Sequence, residues 1–171
     1  MRPYLAVVSA RVRMGLQYRA AALAGFGTQL FWGLIRLAIF DAFFRSTTAA
    51  QPMSLEQTVD YLWLTQALLL LLPMRLDADI QQMIRTGTVA YELARPIDFY
   101  WFWFSRTLGW RTAPLLLRAG PLYLVAILFL GLQPPASWAA AGGFALSVAA
   151  AMLLGCALAT LMSITLLWTI S

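Results

Sequence analysis

The stretch AGPLYLVAILFLGLQPPASWAAAGGFALSVAAAMLLGCALATLMSITLLWTIS, residues 119–171, carries no charged side chain. Its one interruption is Gln133-Pro134-Pro135, a tight turn. An apolar run lies on either side, and at 1.5 Å per residue each can cross a hydrocarbon layer ~30 Å thick. This stretch reads as a helical hairpin in a membrane. The whole chain agrees: it is 61% hydrophobic and 11% charged, with a mean hydropathy of +0.74. Soluble domains are about half apolar and a quarter charged. The expected fold is all-α and membrane-embedded.

Working outward, the hairpin predicts spans at 112–132 and 138–168. Trp138 and Trp168 bracket the latter as interfacial anchors. A helix over 138–168 would be about 45 Å long, so it tilts, breaks near Gly142-Gly143, or starts above the membrane. Upstream, 20–44 and 55–74 are two further spans. Ser54 and Gln57 have the spacing of a capping box that starts the second, with Glu56 and Asp60 in its outer turns. Residues 1–19 read as a basic amphipathic helix in the membrane interface, with Leu5, Val8, Val12 and Leu16 along one side.

Residues 75–111 form the most polar part, a loop between spans two and three. Leu76, Ile80, Met83 and Ile84 make an apolar helical stripe, while Asp77 and Asp79 read as a solvated face. Gly87 suits a left-handed cap, and Pro96 suits the first position of a new helix. The six aromatics Phe99 to Phe104 fit the headgroup layer. Arg residues concentrate before the first span and in this loop. The positive-inside rule therefore places both termini and the loop in the cytoplasm.

What is missing narrows the chemistry. The chain has no His, and all 12 of its basic residues are Arg. This excludes imidazole acid–base catalysis, His-ligated metals, a Walker A loop and a Schiff-base lysine. The single Cys, Cys156, sits in an apolar run, so no intrachain disulfide exists. The net charge of +5 could suggest nucleic acid, but the arginines flank apolar runs as topology signals do. Its seven acidic residues offer no paired carboxylates for a lipid-phosphate metal site. No catalytic, cofactor or metal residues are expected.

A few polar groups fall inside the spans. Arg36 is deep in the first, where it lines a cavity, meets another helix, or marks the outer edge of a short span. Asp41 is poorly placed to pair with Arg36 and suits Arg45 at i,i+4. Arg118 is expected to snorkel to the cytoplasmic surface. Along the fourth span Gly143, Ser147, Ala151, Gly155 and Ala159 recur every four residues, a face that lets helices pack closely.

The order of these parts resembles the permease subunits of bacterial type-2 ABC exporters, in a branch of uncharacterised transport-system permeases. The residues that carry the likeness are Ser54 to Tyr61 with Gln66, then Asp79-Ile80 through Ile84-Arg85-Thr86-Gly87 and Tyr91 to Ile97. The last stretch looks like an I-x-x-G … L-x-R-P pattern between spans two and three. Trp168-Thr169 looks like a further family position. The resemblance implies six spans, of which this chain supplies four, so the last helix pair is expected either to lie beyond Ser171 or to be absent. It also implies cytoplasmic ABC ATPase subunits that bind ATP and Mg, a second permease chain, and the bacterial inner membrane. Arg85, Gly87, Glu92, Arg95 and Pro96 would then couple the permease to its ATPase. Two other readings are a membrane scaffold without transport and a membrane-embedded lipid-modifying enzyme.

Overall fold

The computed structural model describes residues 2–73 and 76–169, and every element in them is helical. In chain order these are α1 (Arg2–Gln17), α2 (Arg19–Ser46), α3 (Leu55–Leu68), α4 (Ala78–Arg85), α5 (Val89–Leu93), α6 (Phe99–Pro114), α7 (Gly120–Phe129) and α8 (Trp138–Thr169). A 3₁₀ turn, Leu69–Leu71, continues α3, and a π turn, Leu115–Ala119, joins α6 to α7. Among the described residues three helices are long and apolar enough to cross a membrane: α2, the continuous Phe99–Phe129 helix, and α8.

Local chemistry explains most boundaries. The capping box forms, with Gln57 N donating to Ser54 Oγ at 3.2 Å and Ser54 N to Gln57 Oε1 at 3.0 Å. Gly87 adopts φ 71° just beyond α4, a left-handed conformation that glycine takes without steric penalty. Pro114 has no N–H to give its preceding turn, and the backbone widens into the π turn directly after it.

The structure corrects or narrows the sequence reading at four points. The expected second span, 55–74, is helical only to Leu71; Pro73 follows, and Met74 lies outside the described residues. The third begins at Phe99 and not at 112, because Arg106 and Arg111, read as loop charges, are satisfied inside the protein and α6 runs through them. Asp98, not Pro96, starts that helix: its Oδ1 accepts from Trp101 N at 2.9 Å, while Pro96 sits in the bend before it. Finally, α8 passes unbroken through Gly142-Gly143, which removes a break there as the answer to its length.

The chain forms two compact units. One comprises Met1–Gln17, Leu71–Ala113 and Gly142–Ser171. Its core is Ile80, Val89 and Trp103, with Met83, Ile84, Ile164 and Leu167 packed against them. Trp103 is fully buried, so the aromatic run is not a girdle all round but turns one edge inward. Here α1 lies close along α6, since a Cβ on Gly109 would sit 2.8 Å from the Val8 carbonyl oxygen. The other unit, Tyr18–Leu70 with Pro114–Ala141, packs Leu62, Trp63, Ala67, Leu122 and Ala126.

Candidate functional site

In the first unit, charge gathers around Arg106 of α6. A buried arginine must be paired, because an isolated ion in a low dielectric is far too unfavourable. Three carboxylates meet this one. Glu92 Oε1 accepts from Arg106 Nη1 at 2.9 Å, and the Oδ2 atoms of Asp77 and Asp79 each lie 3.7 Å from Nη2. Arg106, Asp77 and Glu92 are all buried. The other Glu92 oxygen accepts from Trp103 Nε1 at 2.8 Å. Arg11 of α1 donates to Asp79 at 2.9 Å, which joins the N-terminal helix to the same cluster.

Local geometry brings these groups together. Asp77 is the N-cap of α4, and its Oδ1 accepts from Asp79 N at 2.9 Å, leaving Oδ2 turned towards Arg106. The expected solvated face is therefore wrong for Asp77. Lying just outside the helix, it is freed from the 200° separation that two residues have within one. Glu92 and Arg106 meet because the short α5 returns against α6 and buries Val89 on the same side. Trp103 and Arg106 share a face of α6 at i,i+3.

The loop residues singled out from the sequence divide into two sets. Arg85 and Arg95 are exposed, as are Gly87 and Pro96. Arg95 places its guanidinium 5.7 Å from the Phe102 ring centroid. Exposed Tyr91 and Leu93 lie between the two arginines in sequence. Glu92, grouped with them as a surface charge, is instead turned inward and held by Arg106 and Trp103. Arg11, Asp77, Trp103 and Arg106 were not singled out as site residues. The usable signal was that Arg106 lies within an aromatic and apolar run and so needed a carboxylate.

A second arginine of α6, Arg111, is also buried and donates to the Leu71 and Leu72 carbonyl oxygens at 3.4 and 3.2 Å. Leu71 closes the helical segment that continues α3. The positive charge suits the negative end of the dipole there. Gly155 of α8 makes room, because a Cβ at that position would lie 2.6 Å from the Leu71 oxygen.

The second unit carries an uncharged polar pair. Gln29 Nε2 donates to the Gln66 carbonyl at 3.2 Å, and Gln66 Nε2 to the Gln29 carbonyl at 3.0 Å. Both glutamines are buried, and they pin α2 to α3 reciprocally. One turn along, α2 comes so near α3 that a Cβ on Gly33 would overlap the Trp63 ring. Arg36 Nη1 donates to Gln66 Oε1 at 3.2 Å. Asp41 pairs with Arg45 Nε at 2.9 Å, as its i,i+4 spacing predicted. Arg118, expected to reach a surface, runs along α2 and donates to the Ala21 carbonyl at 3.4 Å.

The small-residue stripe of α8 splits. Gly155 and Ala159 are buried, whereas Gly143, Ser147 and Ala151 are exposed. Among the described residues no group of three metal-ligating side chains occurs. These features define an all-helical membrane protein with a buried ionic cluster. Comparison with protein-family models, curated proteins and solved structures found no match.

Proposed function

We propose that the chain is the membrane-spanning permease subunit of an ATP-driven exporter in a bacterial inner membrane, with α4 and α5 docking a separate ABC ATPase. The supporting observation is the Arg106 cluster. It ties an exposed turn, rich in arginine and apolar side chains, to a helix long enough to cross the membrane. Force on the α4–α5 turn passes through Glu92 to Arg106 and Trp103 without an intervening flexible segment.

In this reading Arg85, Tyr91, Leu93 and Arg95 are the contact surface. Arginine and aromatics are the side chains enriched at protein interfaces. Gly87 sets the turn by its left-handed backbone, Pro96 sets the bend into α6, and Glu92 transmits. The same reading has four spans, α3 counted as the short second one, and a cytoplasmic N-terminus, so that this turn would face the cytoplasm. ATP and Mg bind the partner, and a second permease chain completes the path. A non-transporting scaffold is the rival reading, favoured by the exposed half of the α8 stripe.

The test is co-expression with a co-encoded ATPase and measurement of ATP hydrolysis in lipid. Arg85→Glu with Arg95→Glu is expected to abolish association while leaving the chain folded. Absence of an associated ATPase, or hydrolysis indifferent to both charges, would move the reading to the scaffold.

A further inference from the structure

Arg36 stands apart from the three arginines of the Phe99–Phe129 helix. Arg106 has three carboxylates, Arg111 two carbonyls and Arg118 one carbonyl. Arg36 is exposed, and among the described residues no carboxylate pairs with it. The nearest acid in sequence, Asp41, is held by Arg45. One Nη1 hydrogen bond to the neutral Gln66 amide fixes the guanidinium and leaves most of its five donors unused.

The depth of Arg36 makes those donors consequential. It lies about 25 Å along α2 from Arg19, at 1.5 Å per residue, and about 7 Å short of Asp41. With Arg19 at one face of a ~30 Å hydrocarbon layer, Arg36 sits just inside the opposite boundary. The Asp41–Arg45 pair then falls among the headgroups. The Cα–Cβ bond tilts towards the helix N-terminus, back into the layer, and Gln66 holds the side chain there. The charge is thus kept from snorkelling freely, and an anion must come to it.

The surroundings describe that anion. Trp32, Ile39 and Phe40 occupy the i−4, i+3 and i+4 positions around Arg36, and all three are exposed. A fixed cation within an exposed apolar patch complements a molecule with an anionic head and hydrocarbon tails. We propose that Arg36 binds the phosphodiester of an anionic phospholipid in the leaflet at the C-terminal end of α2, with Gln66 as its positioning residue. A phosphate oxygen pair matches the guanidinium fork, and a net negative headgroup balances a charge that none of the described carboxylates pairs. The inference does not depend on the exporter reading.

The experiment is native mass spectrometry of the delipidated full chain in detergent, titrated with phosphatidylglycerol or phosphatidylcholine. One phosphatidylglycerol per chain is expected to be retained in preference to phosphatidylcholine. Arg36→Gln should weaken that retention by about tenfold or more, the scale of a charge-assisted contact. Arg36→Lys should keep part of it, and Arg45→Gln should leave it unchanged. Soluble glycerophosphoglycerol and inorganic phosphate separate a lipid site from a free-phosphate site, and neither should compete at millimolar concentration. Competition by either would overturn the lipid assignment. Equal losses in Arg36→Gln and Arg45→Gln, or no loss in Arg36→Gln, would overturn the site. A change in oligomeric state without lipid loss would assign Arg36 to a partner chain instead. Arg36→Lys serves as the readout should the glutamine variant fail to fold.

Discussion

Removal of Glu92 offers the sharpest test of the Arg106 cluster. Glu92→Ala deletes the 2.9 Å partner of Arg106 and the 2.8 Å acceptor of Trp103 Nε1 together. Breaking a buried ion pair from one side costs about 3–5 kcal/mol, because the remaining charge stays buried. Asp77 and Asp79 still face Arg106 at 3.7 Å, which places the expected loss near the lower end of that range, about 3 kcal/mol. Glu92→Gln keeps an acceptor while losing the charge, and should cost about 1–2 kcal/mol. Arg106→Ala should be worse than either, since it strands the buried carboxylates Asp77 and Glu92 beside Asp79. Unfolding by SDS in mixed micelles, followed by far-UV circular dichroism, measures all three, and the double variant completes a mutant cycle. The reasoning fails if Arg106→Ala costs no more than Glu92→Ala. It fails equally if Glu92→Ala stays within the ~0.5 kcal/mol typical of an exposed pair.

Other expectations follow from packing. Gly155→Ala should destabilise by about 1–3 kcal/mol because its Cβ meets the Leu71 carbonyl, whereas Gly143→Ala, with nothing within 4 Å, should stabilise slightly in the same denaturation assay. Gly33→Val should disrupt α2–α3 pairing by a comparable amount, read as lost protease resistance of that hairpin. Ser54→Ala removes one bond of the capping box and should cost about 1 kcal/mol, while Ser54→Asp should retain most of it. Cys156 is fully buried, so a membrane-permeant maleimide should label it only after unfolding; rapid labelling of the native protein would contradict the packing of α8.

Elements whose determinants lie within a few residues were legible in advance. The Ser54–Gln57 box and the Asp41–Arg45 pair depend on spacings of three and four residues along one helix, and the left-handed Gly87 depends on the glycine itself. The start of α6 was misplaced for the opposite reason. Arg106 and Arg111 look like loop residues until Glu92 and the Leu71 and Leu72 carbonyls are seen to reach them from elsewhere in the chain. Asp77 shows the same limit: its solvated reading assumed a helix that begins only at Ala78. Of the α8 stripe, the periodicity was plain, but which half would be covered was not.

Composition alone determined the environment, because an uncharged run from Ala119 onward and a 61% hydrophobic chain have no soluble solution. Local spacing determined most caps and the helical character of the whole. Tertiary structure decided which charges are internal. A buried arginine is tolerated only where distant carboxylates or carbonyls converge on it. That convergence depends on how separate helices pack, which no local window of the sequence contains.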